Sequence, residues 1–381
     1  MSHSVIVTDG LWRKSLSAIR SLGKAGYDVS VMGDTFFTTG FWSGFTRSRI
    51  MAPTAAQDSR KFGEALLKTL DSRRGAILFP MEDASLMWVA EHLGEINNSG
   101  QVLLPPLESL QIAQNKASTL KIAEELHLPC PRTWEPKTED EYWRLVHGME
   151  NGTFVVKPRT GTGSSGVAYS ATEKDHWSRF GPLLVQERIP SEGRGQGASL
   201  LMDANGECVA AFVHERLQQY PNTGGPSTDR QSIHAPELVE WSIALLKRLA
   251  WRGIAMVEWK IDPRDGKPKL MEINPRFWGS LELAVRSGVD FPVLYAKAVL
   301  GEKLGPPPTY PAGVRCRWMV PGDILRYWTS KAREPFFQFL RGLPSTAEEW
   351  DSKDLRGGFA AFACTAALAL SPRYWKYVRR G

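Results

Sequence analysis

Apolar runs and helical spacings alternate along the first part of the chain. Residues 5–7 and 76–79 are compact apolar runs typical of buried strands. Between them, apolar residues recur at helical spacing over 16–22, and an alternating run follows at 27–32. This alternation of strand and helix signals predicts a small parallel α/β domain over residues 1–107.

Polar loops follow two of these predicted strands. Thr8 and Asp9 come after the first run, and Glu82 and Asp83 come shortly after the run that ends at Phe79. Ligands of open α/β sheets bind beyond the carboxyl ends of the strands. The two loops are therefore candidate substrate contacts, although acidic loop residues are more often simply solvated.

The next segment, residues 108–190, predicts an antiparallel lid. A helix containing Lys116 ends before two prolines that cannot continue it. Beyond a linker, three short apolar runs surround a glycine-rich turn. The strands are expected at 153–158, 167–169 and 183–187.

Residues 191–305 predict a mixed α+β subdomain. Strands at 199–203 and 208–213 precede a long helix over 238–249. Two further strands, 256–261 and 269–273, are joined by a tight turn at Asp265 and Gly266. The fold class is thus α/β, in part α+β, with residues 306–381 left as a C-terminal extension.

Composition excludes several classes of protein. The 381 residues are 42% hydrophobic and 23% charged, as in ordinary soluble domains. The four cysteines are scattered without a paired motif, and no signal peptide is visible, so we expect a protein of the reducing cytoplasm. The net charge of +6 matches the surplus of residues 312–381, which hold 12 Lys/Arg against 6 Asp/Glu. The remaining body is close to neutral and gives no indication of nucleic-acid binding.

The basic extension has two interpretations. Its aromatic and cationic runs, such as 373–380, resemble segments that lie on a membrane surface or bind an anionic partner. Alternatively, the extension is a helical cap that packs its aromatic residues on the rest of the protein. We favour the cap, because globular proteins bury most of their tryptophans at least partly.

A glycine-rich motif spans Gly161–Gly166 and formally satisfies GxGxxG. A dinucleotide-binding turn would place a helix directly behind it, but residues 167–169 favour a strand. A flexible flap whose backbone N–H groups lie against phosphates explains the motif better. Lys157, at the end of the preceding strand, is either a phosphate ligand or a solvent-reaching lysine.

Two acids and an amide on the last predicted hairpin suggest a metal site. If the strands pair across the turn, Glu258 falls opposite Glu272, and Asn274 shares a face with Glu272. Carboxylates side by side among apolar residues repel each other unless a cation lies between them, and oxygen ligands suit Mg²⁺. A solvated ladder of surface charges is the alternative, but the interleaved apolar residues favour burial.

In this order, these motifs resemble the ATP-grasp superfamily over about residues 1–300, most closely its carboxylate-amine ligases. The resemblance implies an N-terminal parallel α/β domain, an antiparallel lid and a central α+β catalytic subdomain. The implied nucleotide contacts are Lys116, Lys157, Gly161, Gly163, Ser164, Ser165, Gly166, Gln186, Glu187, Arg188, Ile189 and Glu192, with Glu187 toward the adenine amino group. The implied metal ligands are Glu258, Glu272 and Asn274, and the implied catalytic residues are Arg276, Arg216 and Lys157. The ribose contact stays open between Glu192 and Gln196.

The resemblance also implies a reaction. ATP and Mg²⁺ would be the cofactors, and a small-molecule carboxylate would be activated as an acyl phosphate and passed to an amine. A phosphotransferase of the same fold and a non-catalytic nucleotide-binding scaffold are the alternatives. A thiol or hydroxyl acceptor is compatible with the same residues, and we further expect a homodimer.

Overall fold

The N-terminal part of the computed structural model is built on a parallel sheet. The structure describes residues 3–161, 166–169, 176–221, 224–330, 334–341 and 343–370. The strands of the first sheet are β1 (Ser4–Val7), β2 (Asp28–Gly33), β3 (Thr46–Met51), β4 (Ala76–Phe79) and β5 (Gly100–Gln101). Its helices are α1 (Arg13–Lys24), α2 (Ser59–Ser72), α3 (Asp83–Glu91) and α4 (Leu93–Ser99).

This first sheet has the order β3-β2-β1-β4-β5, and every neighbouring pair is parallel. The predicted parallel α/β arrangement is therefore confirmed. Strand β3 was not predicted, because its sequence TRSRIM carries polar residues and its exposure alternates. The order leaves the carboxyl ends of β1 and β4 side by side, so the loops that follow them meet.

The lid contains a three-stranded sheet, but its third strand differs from the prediction. The segment comprises α5 (Leu107–Gln114), α6 (Lys116–Glu125), β6 (Thr133–Trp134), α7 (Glu139–His147), β7 (Phe154–Pro158), α8 (His176–Phe180) and β8 (Leu183–Glu187). The strand order is β6-β8-β7. The returning strand predicted at 167–169 is wrong, because Ala168 forms only an isolated bridge with Val156. The third place is taken by the two-residue β6, whose pairing with β8 no local pattern encodes.

The second large sheet carries the predicted hairpin. Its region contains β9 (Gly195–Met202), β10 (Cys208–Gln219), β11 (Ser227–Ile233), α9 (Pro236–Arg248), β12 (Gly253–Ile261), β13 (Pro268–Asn274), α10 (Leu281–Arg286) and α11 (Phe291–Val299). The sheet is antiparallel in the order β13-β12-β9-β10-β11-β14. Its sixth strand, β14 (Arg315–Arg317), comes from the C-terminal extension. The mixed α/β fold class is confirmed, while the boundaries 107, 190 and 305 stay predictions.

The described part of the extension packs on the body of the protein. Its helices are α12 (Ile324–Thr329), α13 (Phe336–Leu340), α14 (Leu343–Thr346) and α15 (Leu355–Ala369). The buried Arg20 of α1 donates to Asp354 Oδ2 at 2.9 Å and to the backbone oxygens of Glu348 and Glu349, both at 3.0 Å. These polar contacts hold the extension on the body, but the predicted burial of its aromatic residues is wrong for most of those described. The exposed ones are Trp328, Phe336, Phe337, Trp350, Phe359 and Phe362.

Contact of the extension with an anionic surface stays a prediction, because the basic run 373–380 lies outside the described residues. In the part of the chain that the structure describes, every helix is too short or too polar to cross a bilayer.

Candidate active site

The two predicted metal-binding glutamates meet on the hairpin of the second sheet. Glu258 on β12 lies directly opposite Glu272 on β13, because the strands pair across the connection 262–267 with a register shift between Glu258 and Trp259. Asn274, two residues beyond Glu272, donates from Nδ2 to Glu258 Oε1 at 3.3 Å. The two-residue period and the register thus bring all three side chains together.

Two cations balance these carboxylates. Arg216 on β10 contacts Glu258 Oε1 at 2.5 Å, and Lys116 Nζ lies 3.2 Å from Glu272 Oε2. Burial raises the pKa of Glu258, Arg216 opposes that rise, and the charge of Glu272 adds to it. Two paired carboxylates with an amide oxygen beside them form a donor set that fits Mg²⁺.

The two predicted phosphate-binding lysines lie near the same acids. Lys116 begins α6, and its Nζ donates to the carbonyl oxygen of Gly161 at 2.7 Å. Lys157 is buried on β7, and burial followed by the charge of Lys116 lowers its pKa to about 8. An anionic phosphate between the two lysines would relieve their mutual repulsion.

Gly161 and Gly166 are the described ends of the glycine-rich flap, which follows β7 in the sequence. Gly161 and Gly166 have positive φ angles of 118° and 72°, which glycine adopts without strain. A Cβ at Gly166 would lie 2.7 Å from the ring of Pro158, so this turn also requires the missing side chain. The predicted contacts Gly163, Ser164 and Ser165 lie outside the described residues.

The predicted adenine hinge follows β8, and its side chains are largely engaged. Gln186 is fully buried and donates from Nε2 to Thr133 Oγ1 at 2.8 Å, whereas its Oε1 has no partner among the described residues. Glu187 accepts from Arg264 Nη2 at 2.6 Å and from the Arg132 backbone N–H at 3.2 Å. Each of its two oxygens thus accepts one hydrogen bond and has a second lone pair with which it could accept from an adenine amino group.

The rest of the hinge shows a similar pattern. Arg188 donates to the Gly152 carbonyl at 3.3 Å, and the Ile189 carbonyl accepts from Lys260 at 3.1 Å. Of the two ribose candidates, Glu192 is exposed and Gln196 contacts Glu215 at 3.3 Å, so both stay open.

Arg276 lies at the junction between the two large sheets. Its Nε donates to Asp83 Oδ2 at 2.6 Å, and Asp83 begins α3 just beyond β4 of the N-terminal sheet. Lys14 of α1 makes a second link, with Glu82 at 2.6 Å and the Phe277 carbonyl at 3.2 Å. The loop at 82–83 is therefore engaged with the second sheet. Lys14 was not predicted, because no local pattern connects the start of α1 to Phe277, which lies about 260 positions away in the sequence.

Asp9, the other acidic loop residue, is turned inward. Its Oδ2 accepts from Thr8 Oγ1 at 2.5 Å and from Ser85 Oγ at 2.6 Å. Burial and the charge of Glu82 raise the pKa of Asp9 to about 6. This carboxyl joins the loops after β1 and β4, and it is neither solvated nor aimed at the glutamate pair.

One cavity borders several of these groups. It measures about 230 Å³, and its polar lining includes Asp83, Gln114, Lys116, Glu272 and Asn274, with Gly161 at its edge. The cavity thus joins the candidate phosphate and metal groups to the loop after β4.

His214 on β10 provides a test of the buried electrostatics beside the site. It is 1% exposed, and its Nε2 lies 3.2 Å from Ser280 Oγ. Burial, then the charges of Arg216 and Arg230, lowers its pKa from 6.5 to about 3. As the pH falls, His214 takes up a proton in the unfolded chain before it does so in the folded protein. The stability that His214 contributes is therefore complete above pH 6.5 and is lost as the pH falls toward 3.

When the pH is lowered from 7 to 5, we expect the free energy of unfolding to fall by about 2 kcal/mol less in His214→Gln than in the wild type. Urea titrations of both proteins at the two pH values measure the difference, and the variant corrects for Asp9, whose raised pKa acts in the opposite direction. Equal losses in the two proteins would show that His214 does not control this pH dependence.

Comparison with known proteins agrees with this geometry. Residues 180–320 match the family described as "ATP-grasp in the biosynthetic pathway with Ter operon". Over 209 residues the chain is 23% identical to the carbamoyl phosphate synthase large chain of Vibrio cholerae, covering 51% of this chain and 19% of that protein. The chain thus spans about a fifth of the length of that relative.

Solved structures share the fold at low sequence identity. Biotin carboxylase from Campylobacter jejuni has a TM-score of 0.63 at 14% identity, covering 80% of this chain and 72% of that one. An L-amino acid ligase from Bacillus licheniformis has a TM-score of 0.60 at 15% identity, covering 80% and 75%. N5-carboxyaminoimidazole synthetase from Staphylococcus aureus has a TM-score of 0.58 at 14% identity, covering 81% of both chains. The chain therefore shares its fold with these enzymes, and the match to an ATP-grasp family model covers residues 180–320.

Proposed function

We propose that this protein is an ATP-dependent ligase that activates a carboxylate as an acyl phosphate and joins it to an amine. The observation that carries the proposal is that Lys116, Glu272 and Asn274 line one cavity. Glu258 pairs with Glu272 and contacts Asn274, and the charge of Arg276 acts on Glu258. The similarity to a carbamoyl phosphate synthase chain and to ligase structures supports it.

The first half of the proposed reaction transfers a phosphoryl group. Lys116 and Lys157 bind the phosphates of ATP, and their charges let an anionic carboxylate approach the terminal phosphorus. A carboxylate oxygen bonds to that phosphorus, the bond from phosphorus to the ADP oxygen breaks, and ADP leaves. Glu258, Glu272 and Asn274 would hold Mg²⁺, which supplies charge neutralisation at the phosphates. One biotin carboxylase domain in the comparison, from Hydrogenobacter thermophilus, was solved with MgADP.

The second half forms the amide. An amine nitrogen bonds to the activated carbonyl carbon, and the carbon–oxygen bond to phosphate breaks. The incoming ammonium group loses two protons in all, of which phosphate takes one and solvent the other. Arg276 and Arg216 stabilise the negative charge on the carbonyl oxygen and on the departing phosphate. Closure of the lid over the nucleotide would exclude water from the acyl phosphate.

The test of the proposed function is ADP release by the purified protein with ATP and Mg²⁺. A panel of carboxylates is offered with and without amines, and omission of carboxylate, Mg²⁺ or protein provides the background. We expect ADP release at least tenfold above background with one carboxylate and one amine together, and little release with either alone.

Two other outcomes would replace the proposal. Turnover with hydroxyl compounds alone, giving a phosphorylated product, would identify a phosphotransferase. Saturable ATP binding without turnover across the panel would favour a nucleotide-binding scaffold. The homodimer also stays a prediction, which sedimentation of the purified protein can test.

A further inference from the structure

The helix α15 buries its small residues and exposes its large ones. The buried positions are Gly357, Gly358, Ala360, Ala361 and Cys364. The outward side carries Leu355, Phe359 and Phe362, whose side chains are 45%, 67% and 46% exposed, and the exposed Leu370 follows the helix. A helix that packs on a hydrophobic core usually has the opposite arrangement, because burial of a large apolar side chain contributes most to stability. The outward side of α15 is therefore an apolar surface that the described residues leave largely uncovered.

Aromatic residues of the N-terminal part lie beside α15. The helix packs on the 3₁₀ turn Thr39–Trp42, and the ring of Trp42 meets that of the exposed Phe36 edge to face, with 4.8 Å between their centroids. The exposed Trp12 borders a cavity of about 120 Å³ together with Leu368 of α15. The apolar surface of α15 thus extends onto the N-terminal part. Contiguous exposed apolar surface of this kind marks an interaction site.

Positive charge flanks this apolar surface. Lys353 and Arg356, at the start of α15, are exposed. The two acids of this segment, Asp351 and Asp354, are paired with basic residues of α1. Beyond α15, the sequence of residues 371–381 contains four basic residues, three aromatic residues and no acidic residue. Apolar, aromatic and cationic residues in this combination are typical of protein surfaces that bind an anionic bilayer.

We propose that the outward side of α15 binds a bilayer that contains anionic lipid, and that the helix lies in the plane of its surface. Phe359 and Phe362 enter the boundary between headgroups and acyl chains, while Lys353 and Arg356 contact lipid phosphates. A second copy of the chain fits this surface less well, because the basic residues of the two copies would be brought together and repel each other. The inference does not depend on the proposed ligase function.

The test is sedimentation of the full-length protein with sucrose-loaded vesicles. Vesicles of phosphatidylcholine alone are compared with vesicles of equal parts phosphatidylcholine and phosphatidylglycerol, at low and at high salt. The double variant Phe359→Ser/Phe362→Ser removes the apolar contacts. Leu107→Ser is the matched control, because this leucine is also exposed but belongs to α5, which packs on α3, α6 and β13. A further variant replaces the four basic residues of 371–381 with glutamine.

We expect the wild type to bind the anionic vesicles and not the neutral ones, and to bind more weakly at high salt because the charges are screened. The double serine variant should lose at least about tenfold in its partition coefficient, since two phenylalanines no longer leave water. The glutamine variant should lose about a hundredfold at low salt. Leu107→Ser should bind as the wild type does. Both serine variants should keep the Tm of the wild type, because the replaced side chains are exposed.

Three results would overturn the inference. Equal sedimentation of the wild type with neutral and anionic vesicles, or none with either, would show that the protein does not recognise anionic lipid. Undiminished binding by the double serine variant would show that α15 is not the contact surface. A dimer that forms without vesicle binding, and that the double serine variant abolishes in sedimentation equilibrium, would show that a second copy of the chain covers this side of α15.

Discussion

Replacing Glu272 with glutamine should lower ATP- and Mg²⁺-dependent turnover at least a thousandfold while leaving the fold intact. Glutamine preserves the shape of the side chain but removes the charge that faces Glu258 and contacts Lys116. A thousandfold loss corresponds to about 4 kcal/mol of transition-state stabilisation, which is within the contribution of a metal ligand in phosphoryl transfer. The measurements are kcat/KM for ADP release and the Tm of each protein.

The matched control for this variant is Glu240→Gln. Glu240 is an exposed residue of α9, so loss of its charge should leave both turnover and Tm unchanged. The dependence on Mg²⁺ provides a second readout, because the Glu272→Gln variant should need a higher Mg²⁺ concentration for any remaining turnover. Turnover within tenfold of wild type at the same Mg²⁺ concentration would remove Glu272 from the set of metal ligands.

Replacing Glu348 with alanine should lower the free energy of unfolding by about 3–5 kcal/mol. Glu348 belongs to the C-terminal extension, and its buried carboxylate contacts both Arg230 and Arg13, the latter at 3.1 Å. Arg230 is 0% exposed, so the alanine variant leaves a buried guanidinium without this counter-charge. Urea titration at pH 7 measures the loss.

Two comparisons make this result specific to the buried pair. Glu334→Ala in the same extension removes a carboxylate whose side chain is 36% exposed and lies 3.3 Å from Arg326, and we expect a loss of at most about 1 kcal/mol. In the Glu348→Ala background, Arg230→Met should recover part of the stability by removing the unpaired charge. A loss below 1 kcal/mol in Glu348→Ala would mean that the extension is not anchored by this pair.

Anchoring of the extension has a consequence for the active site. Arg13, which contacts Glu348, lies 4.3 Å from the Trp318 ring and close to Gly279, where its Nη2 would be 2.6 Å from an added Cβ. Gly279 lies three residues beyond Arg276. Arg13 therefore links the extension to the segment that carries Arg276, the candidate catalytic arginine. The extension also adds β14 to the second large sheet.

Elements whose signals are local could be predicted from the amino-acid sequence. Period-two patterns predicted that Glu258 and Glu272 would lie on neighbouring strands of one hairpin. Their direct pairing follows from the connection 262–267 and from a register shift between Glu258 and Trp259, which a two-residue turn at 265–266 does not specify. The helix of Lys116 and the strand of Lys157 were equally clear, because apolar spacing and prolines mark their limits. These elements also carry the resemblance to the ATP-grasp superfamily.

Contacts between residues far apart in the sequence follow from tertiary packing and could not be predicted. Asp83 and Arg276 are 193 positions apart, and Arg230 and Glu348 are 118 apart. No periodicity in the chain encodes such pairs, because they depend on how the two large sheets and the extension pack together. The same reason explains the missed strands β6 and β14, which are two and three residues long and exist only where a neighbouring strand supplies their hydrogen bonds.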